Sequence, residues 1–389
     1  MRKFLKRAAA GVVALAMCAG FAGCYSEDKT WAARLNEDQL PIGGYIYYLS
    51  SAYSEGAAQV GSDAKVLEAS IEGESAESWV KNRAMEYLRS YYFVSQKFDE
   101  LGLSLTEEDE TRITDATNSM WTYYKTAMEK MGVAKDSFQQ AYSVYNLKLE
   151  KLLYAMYGKG GELEVSQDEM SSYYTENYTY YQHFYVPFTT TDEEGNTKDM
   201  EEEEKADIKE KLEEYAEKVS SGDQTIDRAA ANYANFSGTE PNVSEPQVGR
   251  TASMSAIFAE PLNGLEIGKA TVIDGGTGCY VVQKLDISED FDALIADETR
   301  TNTLLLEMKV SEFSDYTVEQ GANVDVTIND KGINSVKLSQ VAQSIGDKGT
   351  SSASSEAESS GAESSSAQEE VSSDESSEEE SSEVSSQAE

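Results

Sequence analysis

Apolar side chains recur at helical spacing over most of the first 158 residues. Over residues 76–101 they fall every three or four positions, and Gly102 then interrupts the pattern. A Thr-Glu-Glu-Asp run at residues 106–109 has the form of a capping box and opens a second helix that should end at Met131. A third apolar stripe covers residues 136–157. This part of the chain is therefore predicted to be mostly helical.

The pattern changes over residues 165–286, where two short runs are rich in aromatic and β-branched side chains. These runs, residues 180–189 and 279–285, are bounded by turn-forming residues, which is typical of strands. Between them lie an amphipathic helix ending at Gly222, a shorter helix near residues 229–234, and a stretch punctuated by glycine and proline. The pattern predicts a small α/β segment inserted into a helical protein.

The two outer parts of the chain also carry short β-like runs. Residues 31–49 contain such a run, a turn at residues 36–38 and the start of an amphipathic helix. Helical spacing resumes after Asp286 and continues to Gly321, and a last β-like run covers residues 322–328. The predicted fold class is α+β, with a mostly helical, discontinuous domain that holds a small α/β domain between its halves.

The N-terminal residues form a basic cluster followed by an apolar run, which is the pattern of a secretory signal peptide. The apolar run is too short for a permanent membrane anchor, which needs about 20 apolar residues. It ends in Phe-Ala-Gly-Cys at residues 21–24, which resembles the lipobox of bacterial lipoproteins. This resemblance implies a lipid on Cys24, whereas ordinary secretion with cleavage nearby is the alternative.

The cysteine and histidine content limits the chemistry. Loss of Cys18 with the signal and lipidation of Cys24 leave Cys279 without a partner, so no intrachain disulfide is predicted. One histidine, His183, and the lack of a cysteine cluster exclude a structural zinc site. The glutamates at residues 201–204 are explained by the positive end of a helix dipole rather than by a metal.

The formal net charge of −39 argues against binding to nucleic acid, whose phosphates would be repelled. The tail after residue 346 carries −12 of this charge, because 13 acidic residues and one lysine are set there among serine, alanine and glycine. Such a tail cannot bury enough apolar surface to offset its ordering entropy. It is predicted to be a disordered, solvated spacer.

Fragments in the outer parts resemble the extracytoplasmic foldases of the PrsA/SurA type. They are LNEDQLPIGGYIYYL (residues 35–49), FDELGLSLTEE (residues 98–108) and VSQDE with YYTEN (residues 165–169 and 173–177). The resemblance covers roughly residues 31–337 and implies a SurA/trigger-factor-like helical chaperone domain with a parvulin-like insert. The implied organisation is a signal peptide (1–23), an N-terminal helical domain (24–164), the insert (165–286), a C-terminal part that packs on the N-terminal domain (287–345) and the tail (346–389).

Within the insert the resemblance to parvulin-type prolyl isomerases can be followed residue by residue. The run Gln-His-Phe-Tyr-Val resembles the first parvulin strand and places His183 on the first family histidine. Met254 and Phe258 fall where the family has the pair that walls the proline pocket. Gly268 matches a turn glycine, and Tyr280 stands where the family has its second histidine.

Two further positions depart from the parvulin pattern. Pro-Gln-Val-Gly-Arg at residues 246–250 replaces a glycine-rich stretch, and no Cys or Asp fills the third polar position near residues 235–237. Rotation about an X-Pro bond needs no covalent step or cofactor, because catalysis is tighter binding of the twisted amide in an apolar pocket. A hydrogen bond between His183 and Tyr280 is expected to form the pocket floor. We expect the module to bind proline-containing peptides but to isomerise them slowly.

The resemblance implies a membrane-anchored, extracytoplasmic bacterial folding factor. Its expected partners are unfolded or proline-containing secreted polypeptides, together with the membrane through the lipid on Cys24, and no cofactor is expected. The alternative is an interaction or solute-binding lipoprotein that keeps the fold without chaperone work. The sequence leaves the oligomeric state open.

Overall fold

Helices form most of the described chain, which comprises residues 30–61, 65–191 and 195–346 of a computed structural model. The expectations for the signal peptide, Cys24 and the acidic tail fall outside these residues. The first part contains β1 (Trp31–Leu35), β2 (Asp38–Pro41), α1 (Ile42–Val60), β3 (Ser70–Ile71), β4 (Glu74–Ser75), α2 (Ala76–Glu100), α3 (Glu107–Met131), α4 (Lys135–Phe138) and α5 (Tyr145–Tyr157).

The sheet-containing part follows. Its elements are α6 (Gln167–Asn177), β5 (Tyr178–Pro187), β6 (Thr189–Thr191), β7 (Thr197–Asp199), α7 (Glu202–Ser220), α8 (Ile226–Ser237), β8 (Asn242–Val243), β9 (Gln247–Arg250), α9 (Ala256–Gly264), β10 (Ala270–Asp274) and β11 (Gly278–Lys284). The last part contains α10 (Ile287–Ala296), α11 (Glu298–Gly321), β12 (Thr327–Ile328), α12 (Asp330–Ser335) and α13 (Leu338–Gly346).

The predicted capping box at the start of α3 is confirmed. The Thr106 side chain accepts a hydrogen bond from the Asp109 backbone N–H (3.2 Å), and Asp109 Oδ2 accepts one from the Thr106 backbone N–H (2.8 Å). The helix ends at Met131 because Gly132 adopts a left-handed conformation with φ of 85°. Local side-chain chemistry therefore sets both ends of this helix.

The third predicted helix, residues 136–157, is not a single regular α-helix. It starts as α4, continues as a π-helical segment (Gln139–Val144), and becomes α5 at Tyr145. Within the π-helical segment, Ser143 accepts a hydrogen bond from Thr117 of α3 (2.8 Å), and both residues are buried. The spacing of apolar residues along the chain does not reveal such a contact between helices.

The first and last parts of the described chain meet in one core. β12 pairs with β1 in an antiparallel sheet of order β12-β1-β2, with Ala33 opposite Ile328. The predicted strand over residues 322–328 is much shorter than expected, since Val324 and Val326 are buried in the core instead of extending the ladder. Leu338 and Val341 of α13 join the same core.

A second core lies between α5, α6, α10 and α11. Its buried members include Leu152, Tyr174, Leu304 and Phe313. Polar contacts tie the sheet to this core: the Tyr178 hydroxyl donates to Glu307 of α11, and Arg250 Nε lies 2.6 Å from Glu307 Oε1. The start of β5 and the end of β9 are thus fixed to one helix.

The sheet itself has five antiparallel strands in the order β10-β11-β5-β8, with β9 also paired to β5. Only the strands now seen as β5 and β11 were predicted, so the expected two-strand segment is wrong in detail. The missed strands β8, β9 and β10 are two to five residues long and adjoin prolines or glycines. Such residues favour loops, so a short strand beside them cannot be recognised without its pairing partner.

The predicted α+β class is confirmed by this arrangement of long helices and small sheets. None of the helices within residues 30–61, 65–191 and 195–346 combines the length and the apolar character needed to cross a membrane.

Candidate functional site

Alternation along β5 gives the sheet two different faces. Phe184 and Val186 are buried against α7 and α8 in a core that also contains Val281 of β11. Their neighbours His183 and Tyr185 point to the opposite face and are only partly buried. The second face is therefore the open one, and it carries the only histidine of the chain.

Three aromatic rings surround His183 on the open face, and a fourth lies beside them. Tyr280 of β11 lies diagonally across the ladder, because Val282 is the residue directly opposite His183. The ring centroid of His183 lies 5.4 Å from that of Tyr280, 5.8 Å from that of Phe258 and 6.1 Å from that of Tyr181. Tyr185 extends the row, with its centroid 4.6 Å from that of Tyr280. We call these five residues the aromatic face.

Helix α9 brings Phe258 over this face. Its ring centroid lies 4.9 Å from that of Tyr280 and 6.0 Å from that of Tyr181. Leu262, one turn after Phe258 in the same helix, is fully buried with Val282 and fixes the helix on the sheet. Phe258 itself is half-buried. The structure thus brings the sequence-predicted residues His183, Phe258 and Tyr280 into mutual contact.

Met254 closes one side of the aromatic face. It precedes α9 and packs on the same apolar cluster as Phe258. Its methyl group lies against β9, because a Cβ added to Gly249 would come 2.8 Å from Met254 Cε. Gly249 thus permits the close approach, and Met254 lies beside the aromatic face.

The expected hydrogen bond between His183 and Tyr280 is not formed. The two rings meet edge to face at an interplanar angle of 69°, and His183 Nδ1 instead lies 3.1 Å from the side-chain amide nitrogen of Gln247 on β9. Burial lowers the pKa of His183 below its usual value of 6.5. The imidazole is therefore neutral at neutral pH.

Three other positions that the sequence singles out lie away from the aromatic face. Gly268 forms a turn with φ of 80°, and its N–H donates to the Lys284 carbonyl oxygen (2.8 Å). Cys279 points into the opposite core, where burial raises the pKa of its thiol to about 11. It is therefore not a reactive thiol. Ser237, near the expected third polar position, is tied to the end of α8 through the Tyr233 carbonyl oxygen (3.0 Å).

The sequence reasoning missed three contributors, Tyr181, Tyr185 and Gln247. The first two could have been found, because residues two positions from His183 on a strand share its face. Gln247 had no such signal, since its approach depends on the pairing of β9 with β5 that sets it opposite Tyr181.

The acidic and other metal-ligand side chains of the described residues are not gathered into a cluster. Within residues 30–61, 65–191 and 195–346 no group of three or more His, Cys, Asp or Glu side chains could hold a metal ion. Glu201 instead caps α7, with its backbone N–H donating to Glu204 Oε2 (2.9 Å). The acidic run is thus a helix start, as the sequence suggests.

The sheet-containing part also has a separate cleft of about 520 Å³. It is formed between the connection from α7 to α8 and the turn before β10. Its lining mixes amide, hydroxyl and apolar groups, including Gln182, Ser220, Gln224, Asp227 and Ile267. Gln182 neighbours His183 along β5 but faces the opposite side, so this cleft and the aromatic face are distinct.

Comparison with known proteins gives matches among solved structures. No family model matches the chain, and no curated protein does. A foldase protein PrsA from Lactococcus lactis is 13% identical, with a TM-score of 0.32 and coverage of 81% of this chain and 99% of that chain. The PrsA foldase from Streptococcus pneumoniae is also 13% identical (TM-score 0.30, coverage 80% and 99%).

A structure of SurA-like chaperones from Campylobacter jejuni is matched at 10% identity, with a TM-score of 0.22 and coverage of 77% and 100%. The matched proteins are foldases and chaperones of the kind that the sequence fragments resemble.

Proposed function

We propose that this chain is a peptide-binding folding factor of the PrsA/SurA type, and that its aromatic face binds proline-containing segments of unfolded polypeptides. The observation that carries the proposal is the position of Phe258, whose ring contacts those of Tyr181, His183 and Tyr280 on the open face of the sheet. A proline ring placed among these rings would exchange water for apolar contacts on several sides.

The proposed site favours binding over rapid isomerisation. Lowering the barrier of about 20 kcal/mol to X-Pro rotation requires groups that hold the twisted amide more tightly than the planar one. The side chains here supply an apolar surface with one neutral imidazole, and Tyr280 meets that imidazole through its ring. Each missing oriented donor in a water-poor site costs on the order of a hundredfold in rate.

The direct test of the proposal measures chaperone work and isomerisation side by side. The purified protein should delay the aggregation of several chemically unfolded clients, and it should bind a proline tetrapeptide more tightly than the same peptide with alanine in place of proline. A protease-free isomerisation assay on the tetrapeptide should give a slow rate. No delay with any client, together with no preference for proline, would sink the proposal.

We also propose that the protein works at the extracytoplasmic face of a bacterial cell membrane, held there by a lipid on Cys24. The support is the signal-like N-terminal pattern and the Phe-Ala-Gly-Cys run. A lipid chain contributes about 0.8 kcal/mol per buried methylene, so its loss should release the protein. Cys24→Ser should therefore leave the membrane fraction or accumulate as a precursor, and unchanged membrane fractionation would refute the anchor.

The cleft near Gln182 supports a second candidate function, a solute-binding lipoprotein. Its volume of about 520 Å³ falls within the range of small-molecule sites, and its lining is mixed. A solute binder should gain thermal stability with one small ligand, whereas a folding factor should respond to peptides and unfolded proteins. A thermal-shift screen of small solutes against peptides separates the two functions.

A further inference from the structure

The stretch from Ser244 to Gln247, after β8 and up to the first residue of β9, holds His183 at its main chain and at its ring. The backbone N–H of His183 donates to Ser244 Oγ (3.0 Å), and the Ser244 backbone N–H donates to the His183 carbonyl oxygen (2.8 Å). Three residues further on, the Gln247 side-chain amide reaches the ring at Nδ1 (3.1 Å). This segment therefore fixes both the main chain and the imidazole of the only histidine.

The contact with Gln247 determines which ring nitrogen carries the proton. An amide nitrogen can only donate, so Nδ1 must accept, and the proton of the neutral imidazole lies on Nε2. The opposite amide orientation would bring Gln247 Oε1 to the ring and would require the proton on Nδ1. The two orientations thus predict opposite tautomers, and a measurement can distinguish them.

The remaining ring nitrogen is free to act on a ligand. His183 Nε2 has no hydrogen-bond partner among the residues that the structure describes. Its surroundings are the rings of Tyr181, Phe258 and Tyr280, which reduce competition from water. A donor in such surroundings is suited to the carbonyl oxygen of a peptide bond.

We infer that Gln247 is a positioning residue, which fixes His183 as the Nε2–H tautomer so that this N–H donates to a backbone carbonyl oxygen of a peptide bound on the aromatic face. The inference rests on the proposed function of that face. Gln247 thus makes the hydrogen bond to the His183 ring that was expected from Tyr280. Ser244 supports the same arrangement by holding the His183 main chain.

Nitrogen-15 NMR of the purified protein tests the inference, because the single histidine makes the assignment unambiguous. The wild type should show a protonated Nε2 and an unprotonated Nδ1. In Gln247→Glu, the ionised carboxylate can only accept a hydrogen bond, so it should favour the tautomer that donates from Nδ1–H. In Gln247→Leu, both tautomers should be populated.

Peptide affinity supplies the second readout. Gln247→Glu and Gln247→Leu should each weaken binding of the proline tetrapeptide about fivefold, which is the effect of losing one well-oriented hydrogen bond. Gln283→Leu is the matched control, since Gln283 donates to the Gly268 carbonyl oxygen (3.2 Å) and does not contact His183. It should change neither the tautomer nor the affinity.

Different failures have different meanings. A wild-type Nδ1–H tautomer, or a Gln247→Leu variant with unchanged tautomer and unchanged peptide affinity, overturns the positioning role. A wild type with the expected tautomer that binds no proline peptide overturns the proposed function of the face and the ligand part of the inference with it. Circular dichroism of each variant confirms that the fold is retained.

Discussion

Replacing Phe258 by alanine should remove most of the peptide binding while leaving the protein folded. Phe258 is half-buried, and its ring joins those of Tyr181, His183 and Tyr280 into one surface. Truncating a central aromatic anchor of this kind typically costs about 2 kcal/mol of binding free energy. The dissociation constant for a proline tetrapeptide should therefore rise about 30-fold.

The effect of Phe258→Ala on stability should be smaller. A fully buried phenylalanine costs about 3–5 kcal/mol when truncated, whereas Phe258 keeps part of its ring in solvent. We expect a loss of about 1–2 kcal/mol in the free energy of unfolding, which most domains tolerate. Urea denaturation measures this loss, and isothermal titration calorimetry of the same preparation measures the binding.

The matched control is Phe236→Ala. Phe236 lies at the end of α8, is 64% exposed, and has its ring contacts with Tyr233 and Lys211, away from the aromatic face. The control should bind the tetrapeptide as the wild type does. Two outcomes would contradict the proposed site. In one, both variants bind the tetrapeptide with wild-type affinity; in the other, both lose the same amount of affinity.

Three further results are expected. Tyr280→His, assayed on a proline tetrapeptide without protease, should raise the isomerisation rate by about tenfold or more, and an unchanged rate would show that the second family histidine is not what limits catalysis. Thr106→Ala should lower the free energy of unfolding by about 1 kcal/mol in urea titrations through loss of the cap, whereas Thr114→Ala in the exposed part of α3 should not destabilise. Because burial lowers the pKa of His183, the unfolded chain binds a proton at a higher pH than the folded chain does. Stability should thus fall as pH drops from about 6.5 to the lower folded pKa, and His183→Gln should lack this component in denaturation curves measured across that range.

The helix ends could be predicted because their causes are local. Thr106 and Asp109 satisfy each other's backbone groups three residues apart, and Gly132 supplies the left-handed conformation that stops the helix. The π-helical segment Gln139–Val144 could not be predicted in this way. The contact of Ser143 with Thr117 spans 26 residues, so only the packed structure contains it.

The sequence indicated three rings of the aromatic face, but it did not indicate Tyr181, Tyr185 or the hydrogen-bond partner of the His183 ring. The strand pattern and the parvulin resemblance select His183, Phe258 and Tyr280, and the structure brings these three rings together. The hydrogen-bond partner of His183 is Gln247, which is 64 residues away along the chain and reaches it through an edge strand of four residues. Sequence spacing cannot reveal a partner that depends on strand pairing.

The most direct test of the proposed binding site is a proton NMR titration that follows the ring signals of His183. Because the chain has one histidine, any shift reports on the centre of the aromatic face without ambiguity. A proline tetrapeptide should shift these signals in a saturable manner, and the alanine version of the peptide should shift them far less. If the protein binds the proline peptide while the His183 signals stay unchanged, the peptide binds elsewhere and the aromatic face is not the site.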